Sequence, residues 1–178
     1  MHRLDGKNIY LMGFMASGKT RIGTELARLF GWTFCDTDDI IEQQAGKSIS
    51  LIFAEDGEVA FRAIERKVVE SISRKPHCVV ALGGGAVIDD KNWHRIEKTG
   101  ITVCLTASEE TLFKRISRKS HRPLMLHKTP EQVRKKIHTM LEERLPYYLR
   151  AQYIFENDDD IPAQDQALRI YEKLLEYL

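Results

Sequence analysis

Apolar positions along the chain alternate between two periods, and the changes of period divide it into strands and helices. Asn8-Ile9-Tyr10-Leu11-Met12 is a short apolar run that suits a strand buried on both faces. Ile22, Leu26, Leu29 and Phe30 then recur at helical spacing, and Gly31 supplies a stop. Trp32-Thr33-Phe34-Cys35-Asp36 predicts a second strand; it runs into the polar cluster Asp36-Thr37-Asp38-Asp39, and Ile40, Ile41 and Ala45 continue as a helix. Ser48 to Gly57 predicts a short capped helix, and Glu58 to Arg74 a longer one with Phe61, Ile64, Val68 and Ile72 on its buried stripe.

Pro76 breaks that helix, and Cys78-Val79-Val80-Ala81-Leu82 and Ile101-Thr102-Val103-Cys104-Leu105 are two further buried strands. Between them a short helix, capped by Asp89 or Asp90, carries Trp93 and Ile96 and stops at Gly100. Ser108 caps a helix with Leu112 and Ile116 inward, after which the period dissolves from Ser117 to His127. Thr129-Pro130-Glu131-Gln132 is a capping box with proline at the first helical position. The helix it opens is buried through Val133, Ile137, Met140 and Leu141 and is expected to end at Pro146. Tyr153-Ile154-Phe155 is a last strand, and the closing helix is expected to bury Leu168, Tyr171, Leu174, Leu175 and Leu178. About five alternations of strand and helix argue for an α/β fold, a parallel sheet with helices on both faces.

Composition narrows the function classes. The 178 residues carry 27 Lys and Arg against 26 Asp and Glu, so there is no general basic field to hold a nucleic acid, and anion recognition has to be local. Cys35, Cys78 and Cys104 lie in apolar runs without CxxC spacing, which suits buried reduced thiols. No stretch is apolar enough to span a bilayer and no leader-like run opens the chain; a soluble cytoplasmic protein without membrane or nucleic-acid partners is expected. No repeat or linker interrupts the chain, and a single domain over 1–178 is the expectation.

The strongest chemical signal is Gly13-Phe14-Met15-Ala16-Ser17-Gly18-Lys19-Thr20, which spells G-x-x-x-x-G-K-[ST] between the first strand and the first helix. Its backbone amides can curl round phosphate oxygens where Gly13 and Gly18 leave room. Lys19 adds a charge, Thr20 offers a hydroxyl to Mg²⁺, and the helix N-terminus faces the anion. Asp36 and Asp38 at a strand end could reach a metal and a substrate hydroxyl, or could simply cap a helix. Arg62 lies four residues after Glu58, as in a surface ion pair. Gly83-Gly84-Gly85 is either a turn or a place where amides approach a ligand. The basic segment Ser117 to His127 reads as a solvated loop or as a flap that brings cations to phosphates. His121 and His127 lack metal-ligand spacing, and Arg144 suits a helix end.

Five separated motifs in order resemble the shikimate kinase family over nearly the whole chain. They are the phosphate loop, Phe34-Cys35-Asp36-Thr37-Asp38, Gly57-Glu58 with Phe61-Arg62 and Glu65, Leu82-Gly83-Gly84-Gly85, and Arg122-Pro123-Leu124 followed by Glu143-Arg144 and Pro146-Tyr147-Tyr148. The resemblance implies a P-loop NTPase fold, three-layer α/β/α, with a five-stranded parallel sheet of order 2-3-1-4-5. It also implies transfer of a phosphoryl group from ATP, with Mg²⁺, to the 3-hydroxyl of shikimate, by a monomer.

On the same resemblance, Lys19, Asp38 and Arg122 are the catalytic residues. Ala16, Ser17, Gly18, Lys19, Thr20, Arg21, Arg118, Arg122 and Asn157 bind the nucleotide, and Thr20 and Asp36 serve the metal. Asp38, Arg62, Gly84, Gly85 and Arg144 bind shikimate, the arginines because guanidinium pairs a carboxylate through two parallel bonds. A substrate region from about 36 to 65 and a lid over about 117–128 complete the implied layout. Two departures are the Leu149-Arg150 pair, where the family often has acidic residues, and the short spacing from Arg118 to Arg122. A gluconate-type or aminoshikimate kinase, and an ATP-binding regulatory module without catalysis, are the competing readings.

Overall fold

The computed structural model describes residues 6–118, 129–158 and 161–176. Five strands, β1 (Asn8–Met12), β2 (Thr33–Asp36), β3 (Cys78–Ala81), β4 (Gly100–Thr106) and β5 (Tyr153–Glu156), pair in parallel in the order β2-β3-β1-β4-β5. The helices are α1 (Lys19–Phe30), α2 (Thr37–Ala45), α3 (Ile49–Glu55), α4 (Gly57–Ser73), α5 (Asp90–Thr99), α6 (Glu109–Ser117), α7 (Pro130–Tyr148) and α8 (Ala163–Leu175). The order and parallel sense are those the sequence and its resemblance led to expect.

Strand alternation sorts the core into two layers. Ile9 and Leu11 of β1 join Val79, Val103 and Leu105 under α1 and α8, where Ile22, Leu26, Ala167, Ile170 and Leu174 pack. Tyr10 and Met12 face the other way, with Cys78, Val80 and Cys104, against Ile41, Ile52, Val68, Ile96, Leu112 and Ile137 from α2 to α7. The central strands are therefore largely apolar because both of their faces are covered, with Asn8 of β1 and Thr102 of β4 as buried polar exceptions.

Side-chain caps place several helix starts: Ser48 accepts from Leu51 N, Asp89 from Lys91 N and Asn92 N, and Ser108 from Thr111 N. The Thr129–Gln132 capping box is complete in both directions. All four starts agree with the sequence.

Two expectations are corrected. Helix α7 runs through Pro146 to Tyr148, since proline near a helix end removes one N–H whereas Tyr148 gains a nearly complete burial. In α8 the buried residues include Gln166, Ala167, Ile170 and Leu174, while Leu168 and Leu175 are 44% and 37% exposed. Small Ala167 gives close approach to the sheet, so the buried face is set by fit and not by counting leucines. Leu178 lies outside the described residues. A 3-10 turn at Ala86–Ile88, with no counterpart in the sequence pattern, follows the three glycines. Among the described residues no helix is long and apolar enough to cross a membrane.

Candidate active site

The C-terminal ends of β1, β2 and β3 lie side by side, and each carries one part of the site. At β1 the loop Gly13–Gly18 turns back with positive φ at Gly13 (135°), Ala16 (64°) and Gly18 (103°). A side chain at Gly13 would strike the Leu105 carbonyl oxygen, and one at Gly18 the Asn157 amide. Ala16 bears a left-handed conformation that costs a non-glycine residue roughly 1–2 kcal/mol. Two neighbours hold the loop in that shape: Asn157 Nδ2 donates to Ser17 O at 2.6 Å, and Arg115 Nη1 to Ala16 O at 3.3 Å. Lys19 Nζ donates to the Gly13 and Phe14 carbonyls, both at 2.9 Å, which fixes its charge beside the loop.

At β2, Asp36 joins the loop to the second part of the site. Its Oδ2 accepts from Thr20 Oγ1 at 2.9 Å, and its Oδ1 from the backbone N–H of Asp38 at 3.0 Å. Asp36 is thus the N-cap of α2, as one of the sequence alternatives has it, and also the partner of the loop threonine. Asp38 is pushed up to about 6, first by burial and then by the Asp36 charge, against the pull of Lys19.

The third part is the triple glycine after β3. A Cβ on Gly83 would lie 2.6 Å from Asp38 Oδ1 and 3.4 Å from Glu65 Oε1. One on Gly84 would lie 3.2 Å from Arg144 Nη1, and one on Gly85 2.7 Å from Arg62 Nη2. Two carboxylates and two guanidinium groups therefore close on three consecutive residues that offer no side chain of their own. The segment is anchored by Gly83 N donating to Thr37 Oγ1 at 2.8 Å and by Tyr148 Oη donating to Gly84 O at 2.6 Å.

Arg62 makes the anticipated pair with Glu58 only loosely, at 3.3 Å. Its closer partner is Glu65, at 2.8 Å and 1% exposed. Burial raises the Glu65 carboxyl while Arg62 opposes the shift. Arg144 approaches from α7, with its Cζ 6.0 Å from the centre of the Phe14 ring.

Lys19, Thr20, Asp36, Asp38, Arg62, Gly84, Gly85 and Arg144 thus converge on one edge of the sheet. Ala16, Ser17 and Gly18 form the loop, with Ser17 Oγ buried and without a hydrogen-bond partner among the described residues. Arg21 and Arg118 are exposed, on α1 and at the end of α6. Asn157 is 5% exposed and spends its amide on the loop backbone. Arg122 lies outside the described residues, as do residues 119–128 of the lid expected over about 117–128.

Glu65, Thr37 and Tyr148 stand in the motifs that carry the resemblance but have no role assigned to them there, and Arg115 stands in none. Glu65 had a signal: it is charged yet follows Phe61 by four and precedes Val68 by three, inside a buried stripe. Arg115 and Tyr148 act through backbone carbonyls of distant segments, and no local pattern marks such a bond.

A phosphate loop between strand and helix, opening onto a buried carboxylate and two arginines in a sheet of order 2-3-1-4-5, defines a P-loop phosphotransferase acting on a small anionic acceptor. The sequence profile described as shikimate kinase matches residues 15–175. The shikimate kinase of Thermodesulfovibrio yellowstonii is 38% identical over 170 residues, covering 94% of this chain and 96% of the relative. The crystal structure of shikimate kinase from Bacteroides thetaiotaomicron superposes with a TM-score of 0.89 at 33% identity, covering 96% of this chain and 98% of the other. The solved structure of shikimate kinase from Acinetobacter baumannii in complex with shikimate gives 0.88 at 36% identity, covering 96% of this chain and 93% of the other. The chain belongs to the shikimate kinase family.

Proposed function

We propose that this chain transfers the terminal phosphoryl group of ATP to the 3-hydroxyl of shikimate, giving shikimate 3-phosphate and ADP, a step of aromatic amino-acid biosynthesis. The observation that carries the reading is the approach of Asp38, Arg144 and Arg62 to Gly83, Gly84 and Gly85 beside the phosphate loop. Shikimate has a carboxylate at one end of its ring and hydroxyls at the other. Arg62 and Arg144 suit the first, and Asp38 the second.

Phosphoryl transfer asks for alignment and charge stabilisation more than for covalent help. The loop amides and Lys19 hold the phosphates, and Ser17 Oγ, orphaned inside the loop, gains acceptors there. Asp38 orients the attacking hydroxyl and takes its proton; with its carboxyl near 6 it is ionised at neutral pH yet basic enough to accept. Arg122 acts on the transferring group once the segment around 117–128 closes. Arg118 and Arg21 serve the nucleotide from the surface, whereas Asn157 serves it by holding the loop.

For the metal, the fit rests on the Thr20 Oγ1–Asp36 Oδ2 bond, which brings a hydroxyl and a carboxylate together beside the loop. Among the described residues no group of three or more His, Cys, Asp and Glu could hold an ion alone, so Thr20 and Asp36 would hold it together with phosphate oxygens of the nucleotide. Bound there, Mg²⁺ would neutralise charge that builds on the phosphates. The reading includes one kinase domain, with 36–65 as substrate region, working as a cytoplasmic monomer without nucleic-acid or membrane partners.

A coupled ADP-release assay across shikimate, aminoshikimate, gluconate and nucleoside monophosphates tests it. Turnover with shikimate at the highest kcat/KM is expected; preference for another acceptor, or ATP binding without any acceptor, overturns it.

A further inference from the structure

Arg150 lies just beyond α7, on no expected list of site residues, yet it makes more contacts of defined geometry than a surface arginine requires. Its guanidinium carbon sits 4.3 Å from the centre of the Trp93 ring and 5.0 Å from that of Tyr147. Beside those rings Nη2 donates to the Val87 carbonyl, and Nη1 stands 3.8 Å from Asp90 Oδ1. Asp90 is largely exposed, so the ion pair is the minor part. The bond to Val87 matters because of where Val87 stands: it is the middle residue of the 3-10 turn that follows Gly85 directly.

Buried Leu82, Ala86 and Val87 anchor the segment at its two ends, but the glycines between have no side chains by which packing could hold them, so the exact position of Gly83 to Gly85 is tuned by bonds to the backbone. On its far side the segment is held at Gly84 O by Tyr148 and at Val87 O by Arg150, two donors at the end of one helix. Asn92 Nδ2 adds a third bond, to Ala86 O at 3.1 Å. Arg144, whose guanidinium faces Gly84, belongs to that same helix. A planar fork packed against two rings holds a carbonyl in a fixed direction, which a flexible ammonium does less well.

We propose that Arg150 is a positioning residue for the acceptor site: with Tyr148 it sets the distance between the Arg144 guanidinium and the Gly84–Gly85 backbone. The proposal rests on the shikimate reading above. It concerns the acceptor half only, because the nucleotide loop is braced separately by Asn157 and Arg115.

The test is a kinetic split in two variants. Arg150→Met keeps the stem against Trp93 but loses every donor; Arg150→Lys returns one donor without the fork. Expected for Arg150→Met is a KM for shikimate raised about tenfold with the KM for ATP within about twofold, and for Arg150→Lys an intermediate KM for shikimate. A merely structural role would move both constants together, or neither, and either result overturns the proposal. Should Arg150→Met not fold, Arg150→Lys alone decides: a rise of about threefold confined to shikimate supports the assignment, and equal changes in both constants sink it. Wild-type protein that turns over ATP with another acceptor but not with shikimate would instead remove the functional reading, and this proposal with it.

Discussion

Asp38 is a carboxylate held largely away from water, where the Asp36 charge adds to the effect of burial and the Lys19 charge opposes it. Its rise from 3.8 to about 6 is about two pH units, so ionising it in the folded protein costs roughly 3 kcal/mol relative to the unfolded chain. Between pH 4 and 6, roughly, the folded state binds more protons at this site than the unfolded one, and its contribution to stability falls as pH rises. Above about pH 6 the full cost is present. Asp38→Asn removes that charge while keeping most of the shape. We expect the variant to melt higher than wild type at pH 7.5, with the gap closing toward pH 4, and to lose about 10²-fold or more in kcat. Wild-type kcat/KM should fall below about pH 6 as the base is protonated. A variant with kcat within tenfold of wild type would remove Asp38 from proton transfer.

The triple glycine shows at the scale of an element what a side chain would do there. Gly85 has φ −105°, an ordinary backbone for any residue, so a substitution meets no conformational penalty. The added Cβ would instead meet the Arg62 guanidinium at 2.7 to 2.8 Å, the movable end of a long side chain. Gly85→Ala is therefore expected to keep its melting temperature within about 2 °C while raising the KM for shikimate tenfold or more. An unchanged KM would separate Arg62 from the acceptor. Helix α7 carries the complementary lesson. Its start was legible because the Thr129 capping box is local, whereas its end was misplaced because the benefit of burying Tyr148 against Gly84 is not written near Pro146. The buried face of α8 was misjudged for a related reason: leucine content signals apolarity, but Ala167 and Ile170 fit the layer beneath α1.

On the scale of the whole molecule, the acceptor site joins elements far apart in sequence: α4 supplies Arg62, α7 Arg144 and the first turn of α2 Asp38. A ligand bound by all three ties those elements together and stabilises the folded state by mass action, by about 2.7 kcal/mol at a hundredfold excess over Kd. For a chain of this size that corresponds to a rise of roughly 5–10 °C. Shikimate should produce such a shift by differential scanning fluorimetry, and Arg144→Ala should abolish most of it without altering the shift produced by ATP and Mg²⁺. A full shikimate shift in that variant would place the carboxylate elsewhere.

The sequence by itself determined the alternation of strands and helices, since burial on two faces demands continuous apolar runs and helix starts demand caps a few residues away. It also determined the phosphate loop, where glycine, lysine and threonine must follow one another at fixed spacing to surround one anion. Tertiary structure decided which groups share a space. That Glu65 and not Glu58 is the close partner of Arg62, that Asn157 and Arg115 hold the loop, and that Arg150 reaches the carbonyl of Val87 depend on elements meeting across the sheet edge. Hydrogen bonds to backbone carbonyls leave no mark on the residue that accepts them, and burial raises a carboxyl only once other segments have displaced its water.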